Sequence, residues 1–303
     1  MIPESSAGTV HASSDGGSPG SSSATRSDPT IGSSPSPSPL GALDRERTRV
    51  DILGTWIDDV TFDEAIARIA ALVADGRATG RGRFVVTPNP EMVVQARRDP
   101  ALAAALASAA LATPDGVGIR WAAGVLGTPL RAVVPGSALT VRLAAAAADA
   151  GWRLFLLGAA EGVAEAAAAR LTADHPGLDI AGTFAGSPRA ADAAAVRSAL
   201  AAASPVDIVL VAYGTPAQEI WLAEELPALG IPVGMGVGGT FNFIAGASPW
   251  PPRIVVRLGL IWLWRLTTEP WRWRRQLRLV RFIGLTVAAA AIRRTATLGR
   301  RGA

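Results

Sequence analysis

Four short apolar runs constrain what this chain can fold into: "RFVVT" (83–87), "RLFLLG" (153–158), "VDIVLVAYG" (206–214) and "IPVGMGVGG" (231–239). Each is bounded by Gly, Pro or Asn, and Ala-rich stretches of helical character separate them. A strand with one wet face alternates apolar and polar residues, whereas a strand apolar throughout is buried on both faces. Such strands alternating with helices imply an α/β fold, a mostly parallel sheet with helices on both faces. Ligands of these sheets bind beyond the carboxyl ends of the strands, so the residues just after the four runs are the first candidates for function. Ahead of them, "TWIDDV" (55–60) reads as a short strand or turn. Thr61 with Glu64 reads as a capping box that opens a helix to about Ala74.

Both ends of the chain depart from this pattern. Residues 1–44 hold 13 Ser, 6 Gly and 6 Pro, too little apolar surface to offset conformational entropy, so residues 1–48 are expected to be disordered. They show no basic segment followed by an apolar one, and so do not read as a secretory signal. An α/β core over 49–250 then precedes a basic, Trp-rich helical appendage over 251–303. The net charge of +4 conceals a split between these parts. Residues 1–250 carry 17 Arg against 24 acids, and residues 251–303 carry 12 Arg against Glu269 alone. A basic tail on an acidic body suggests a polyanionic partner: phosphate, nucleic acid or anionic lipid.

Within 271–294, Trp273, Leu277, Val280, Ile283, Val287 and Ala291 share one helical face, and Arg274, Arg275, Arg278, Arg281 and Arg293 gather on the other. The longest uncharged stretch, Phe282 to Ile292, is 11 residues, too short to span a bilayer. The pattern reads as a helix lying in a membrane interface. The plainer reading is a helix packed on the core with its charged face in water. No nucleic-acid-binding module accompanies the tail, so nucleic acid is not expected as a partner.

Composition removes several chemistries. There is no Cys, hence no disulfide framework, thiolate nucleophile or Cys-based zinc site. Every cation is Arg, which excludes Lys Schiff-base chemistry. His11 lies in the Ser-rich tail and His175 in a loop, so acid–base work falls to carboxylates, hydroxyls or Tyr213.

Five loops follow the strand-like runs or resemble those that do. Thr87-Pro88-Asn89-Pro90-Glu91 offers a hydroxyl and an amide to a polar ligand, or is simply an Asn-Pro turn opening a helix. Thr113-Pro114-Asp115-Gly116-Val117-Gly118 places a carboxylate between residues that let backbone approach a ligand, or is an ordinary Pro-Asp-Gly turn. Gly158 to Gly162 and Gly214 to Glu219 each open a helix whose free N–H groups suit phosphate. Neither completes a dinucleotide fingerprint or a P-loop, which disfavours an NAD-dependent oxidoreductase. Gly236-Val237-Gly238-Gly239-Thr240 is a further small cradle.

Read in order, the segments "TPNPEMVVQARRDP" (87–100), "PDGVGIRWAAGVLG" (114–127), "VPGSAL" (134–139), "FLLGAAEGVAEAAAARL" (155–171), "GTPAQEIWL" (214–222), "GVGGTFNFIAG" (236–246) and "WLWRLTTEPWRWRRQLRL" (262–279) resemble the WecG/TagA/CpsF glycosyltransferases, family 26. The resemblance implies a Rossmann-like core with a membrane-meeting appendage. It also implies an inverting, metal-independent enzyme that needs no cofactor. Such an enzyme moves a sugar, N-acetylmannosamine or its relatives, from a UDP donor to a polyprenyl-diphosphate-linked acceptor in cell-surface polysaccharide synthesis. The expected place is the cytoplasmic face of the membrane, against an anionic lipid surface, and a homo-oligomer is compatible with it. Asp58-Asp59 reads as a turn rather than a metal site.

Carried onto this chain, the family's base falls on Asp115 and its threonine on Thr87. Asn89, Gln218 and Glu219 are expected to hydrogen-bond the donor. Gly116, Gly118, Gly158, Gly238, Gly239 and Thr240 are expected to leave room for the nucleotide and diphosphate. The family's Arg trio falls on Arg265, Arg272 and Arg275, which would grip a diphosphate, while Arg278 and Arg281 are expected to meet anionic headgroups. The chain departs from the family pattern at Ala138, Asn242 and Ile261, where acids are usual, and at Trp250-Pro251-Pro252. These departures keep a catalytically inactive nucleotide-sugar-binding or membrane scaffold protein as the alternative.

Overall fold

The computed structural model describes residues 41, 47–252, 254–255, 261–268 and 273–301, all within the unit Pro37–Ala303. Apart from Gly41, Arg47 and Thr48, the segment expected to be disordered lies outside them. The chain opens with an antiparallel hairpin, β1 (Arg49–Ile52) and β2 (Thr55–Asp58). Then come α1 (Phe62–Thr79), β3 (Arg83–Val86), α2 (Pro90–Ala96), α3 (Pro100–Ser108), β4 (Leu111–Ala112), α4 (Val117–Val125) and α5 (Gly136–Ala150). The second half runs β5 (Arg153–Gly158), α6 (Val163–Asp174), β6 (Asp179–Phe184), α7 (Ala193–Ala202), β7 (Ile208–Ala212), α8 (Ala217–Glu225), β8 (Val233–Gly236) and α9 (Thr240–Ile244). The appendage contributes α10 (Ile261–Thr268) and α11 (Trp273–Arg301).

Six strands form one sheet in the order β4-β3-β8-β7-β5-β6, every neighbouring pair parallel. The apolar runs explain how it is covered. Side chains alternate across a strand, so Leu154, Leu156, Ile208 and Leu210 pack on one face with Ile69, Leu72, Leu139, Leu143 and Leu171. Phe155, Leu157, Val209 and Val211 pack on the other with Leu102, Leu106, Leu200, Trp221 and Leu222. The four runs become β3, β5, β7 and β8. β4 and β6 were not among them, because β4 has only two residues and β6 is an edge strand with no fully buried position.

The capping box forms as expected: Glu64 N–H donates to Thr61 Oγ1 and Thr61 N–H to Glu64 Oε2. The helix continues past Ala74 to Thr79 and stops at Gly80, whose left-handed φ of 70° ends it. Gly76 within that extension is a packing requirement, since a Cβ there would lie 2.6 Å from Pro232. Lower in the sheet, the Asp207 carboxylate holds Arg77 of α1 at 2.6 Å and accepts from Arg153 N–H at 2.8 Å. Burial alone would raise its pKa; those two partners outweigh burial and hold the carboxyl below its ordinary range.

A third, smaller core lies outside the sheet. Val50, Ile52 and Ile57 of the hairpin meet Val93 and Val94 of α2, Ile119 and Ala122 of α4, and Phe282 and Ala290 of α11. The hairpin is tied to the sheet edge by Asp58, which is fully buried. Its carboxylate accepts from Arg47, from Arg49 at 3.4 Å and from the Ala112 N–H at 2.7 Å. Asp58 therefore occupies an outward-facing donor of edge strand β4. Asp59 instead pairs with Arg131 at 2.9 Å. Among the described residues no cluster of three or more His, Asp or Glu is placed to hold a metal ion.

Candidate active site

A cleft of about 240 Å³ opens over the carboxyl ends of β4, β3, β8 and β7. Each strand end delivers a loop to it: Thr87 and Asn89 after β3, Asp115 after β4, Gly214 and Thr215 after β7, and Gly238 to Thr240 after β8.

The Asp115 loop is held on two sides. Thr113 N–H donates to Val86 O at 2.9 Å, Asp115 N–H to Pro88 O at 3.1 Å, and Val134 N–H to Pro114 O at 2.8 Å. Thr113 Oγ1 adds a bond to Val134 O at 3.1 Å. Gly116, at φ 92°, then turns the chain into α4. The half-buried Asp115 carboxylate receives Gly136 N–H from the start of α5, at a long 3.5 Å. Gly136 also packs on Thr87, where an added Cβ would sit 2.8 Å from Thr87 Oγ1. Asp115, Gly136 and Thr87 thus form one contiguous wall.

Asn89 caps α2, its Oδ1 accepting from Met92 N–H at 3.0 Å. The turn reading holds, and Asn89 also lines the cleft, so the ligand reading stays compatible with it. Gln218, expected to hydrogen-bond the donor, lines the cleft and also holds two of its loops together. Its Oε1 accepts from both Gly214 N–H and Gly238 N–H at 3.0 Å, which ties the β7 and β8 loops together. Its Nε2 donates to Glu219 Oε1 at 2.7 Å. Glu219 is 1% exposed and stands behind Gln218, outside the cleft lining. Burial pushes its carboxyl up from the ordinary range, against the bonds from Gln218 and from Thr215 Oγ1 at 3.2 Å. Thr240 Oγ1 donates to Val237 O at 2.6 Å and so shapes the β8 loop.

Three of the expected glycines are not in the lining. Gly116 provides the turn just described. Gly118 lets α4 approach α2, since a Cβ would be 2.7 Å from Pro90 Cγ. Gly158, at φ 97°, lies against Ala212 and Tyr213, within 2.9 Å of where its Cβ would be. Arg272 is outside the described residues, as are the side chains of Arg265 and Arg275 on α10 and α11.

The cleft also recruits residues that sequence reasoning had not placed there: Gln95, Ser137, Phe243, Trp250 and Arg278. Gln95 was legible, one helical turn beyond Glu91 on α2. Phe243 and Trp250 stack at 5.3 Å between ring centroids and border one side. Arg278, expected at lipid headgroups, instead lines the cleft.

Residues 50–296 match the family model described as Glycosyl transferase WecG/TagA/CpsF family. The chain belongs to that family. It is therefore a glycosyltransferase with a parallel α/β fold, of the kind that builds cell-wall polysaccharide. Similar proteins include an N-acetylglucosaminyldiphosphoundecaprenol N-acetyl-beta-D-mannosaminyltransferase of Bacillus spizizenii, 34% identical over 203 residues, covering 67% of this chain and 78% of that one. Proteins of the same description from Bacillus subtilis and Staphylococcus aureus are 31% identical. They cover 68% and 76% of this chain, and 79% and 88% of their own lengths.

Proposed function

We propose that this glycosyltransferase moves N-acetylmannosamine from UDP to the N-acetylglucosamine of an undecaprenyl-diphosphate-linked acceptor, with inversion. The observation that carries the reading is the convergence of Asp115 and Thr87 on one wall of the strand-end cleft. In the step, the acceptor hydroxyl oxygen bonds to the anomeric carbon, the carbon–oxygen bond to UDP breaks, and the proton passes to the Asp115 carboxylate. Thr87 positions a sugar hydroxyl, and Asn89 with the Gly238–Gly239 backbone faces the donor. Charge gathering on the leaving diphosphate falls to arginine, with Arg265, Arg272 and Arg275 as the family's candidates.

Incubating the protein with a panel of UDP-sugars and a lipid-diphosphate N-acetylglucosamine acceptor tests this directly. UDP-N-acetylmannosamine should be the donor whose sugar appears on the acceptor. UDP binding with no transfer from any donor would favour the non-catalytic scaffold reading instead.

We further propose that the enzyme works peripherally on the cytoplasmic membrane face. Among the described residues no helix is long and apolar enough to cross a membrane. What supports surface binding is the way α11 docks. Phe282, Thr286 and Ala290 are buried against the core, while Leu277, Val280 and Val287 stand 59%, 69% and 52% exposed. Arg293, expected on the solvated face, reaches back to Leu126 O at 3.3 Å and Asp51 at 3.4 Å. A helix packed on a core with its charged face in water would present the opposite side. An apolar stripe turned outward beside Arg281 and Arg294 suits an anionic lipid interface. Val280→Asp with Val287→Asp should release the protein from anionic vesicles in a flotation assay without lowering Tm, since both side chains are exposed. Undiminished flotation would remove this stripe as the membrane contact.

A further inference from the structure

We propose that Arg278 binds a substrate diphosphate in the cleft, an assignment that rests on the glycosyl-transfer reading above. Arg278 lies one helical turn before Phe282, on the face of α11 that docks. Burial of Phe282 and Thr286 therefore carries Arg278 to the cleft, where it joins Thr87, Asp115, Gly238 and Gly239 in the lining. Its Nη1 donates to Oε1 of Gln95, also a lining residue, at 2.9 Å. That bond orients the guanidinium plane and uses one of its five N–H donors.

The charge on Arg278 distinguishes it from most arginines of the core. Arg47, Arg77, Arg131, Arg153 and Arg197 each meet a carboxylate. Arg278 is half-buried against a neutral amide, and no carboxylate among the described residues pairs with it. A partly desolvated cation held this way is poised for an anionic ligand, and a planar fork fixed at one corner suits the paired oxygens of a diphosphate. Both substrates carry that group: the donor in UDP, and the acceptor in its polyprenyl diphosphate. On the donor, Arg278 would offset charge on the oxygen that leaves the anomeric carbon.

The full-length protein, Arg278→Ala, Arg278→Lys and Gln95→Leu should be compared by calorimetry with inorganic diphosphate and with UDP. KM should be measured for each substrate in parallel. Arg278→Ala should weaken inorganic diphosphate about tenfold or more, the scale of a charge-assisted hydrogen bond. Arg278→Lys should recover part of that loss, and Gln95→Leu should show a smaller loss in the same direction. Weaker UDP binding with an unchanged acceptor KM assigns the donor diphosphate; a raised acceptor KM with unchanged UDP affinity assigns the lipid diphosphate. Unchanged diphosphate and UDP affinities with both KM values unaltered overturn the proposal, whether or not Tm falls. Arg278-dependent diphosphate binding in a protein that transfers no sugar would sustain it while removing the functional reading.

Discussion

Asp115→Asn should lower the transfer rate by about 100- to 10,000-fold, the range that general-base catalysis supplies, with Tm and UDP affinity unchanged. The carboxylate lies at the meeting point of the β3 loop, the β4 loop and the start of α5, yet the backbone bonds to Pro88 O and from Val134 N–H position it independently of its own side chain. Asn retains an oxygen for Gly136 N–H but is uncharged and cannot take the proton. Single-turnover transfer with preloaded acceptor separates the chemical step from binding. Turnover within a few-fold of the unaltered enzyme would remove Asp115 as the base.

Asp58→Ala should cost about 3–5 kcal/mol of stability, the penalty for removing one partner of a buried ion pair. Three donors lose their acceptor at once: Arg47, Arg49 and the Ala112 N–H. Only the two arginines keep partial access to water, so the Ala112 N–H is left without a replacement. Asp58→Asn, which keeps an oxygen for Ala112, should lose less. Chemical denaturation of both variants checks this, and a midpoint for Asp58→Ala equal to that of the unaltered protein would show the hairpin to be a passive cover. Because Ala112 lies three residues before Asp115, the alanine variant should also lose activity at temperatures where it remains folded.

Much of the architecture was legible because it is local. Continuous apolar runs report burial on both faces wherever they occur, and Leu154 to Leu157 and Ile208 to Val211 divide between the two sheet faces as their alternation requires. Thr61 and Glu64 specify a helix start by bonds spanning three residues. β6 escaped notice because an edge strand need not be apolar, and its burial is intermediate along most of its length. In the cleft, Asp115, Thr87 and Asn89 follow strand ends in the manner of their fold, and the resemblance ordered them. Gly238 and Gly239 line the cleft, whereas Gly116, Gly118 and Gly158 do not, because a Gly signals close approach without naming what approaches. At Gly118 it is Pro90, and at Gly158 it is the neighbouring strand.

By itself the sequence determined that the chain forms a doubly covered parallel sheet, which loops stand at its carboxyl edge, and that α11 has one apolar and one basic face. Only the tertiary structure decided which of those faces docks. Helical periodicity records that two sides differ; it carries no information about the partner across the contact. Here the pocket between α2, α4 and the β1–β2 hairpin accepts Phe282 and Ala290, while Gln95 orients Arg278, and Asp51 and the Leu126 carbonyl accept from Arg293. The apolar stripe is left outward and Arg278 is left facing the cleft. These contacts join residues more than 160 positions apart, a separation over which no local pattern in the chain can specify them.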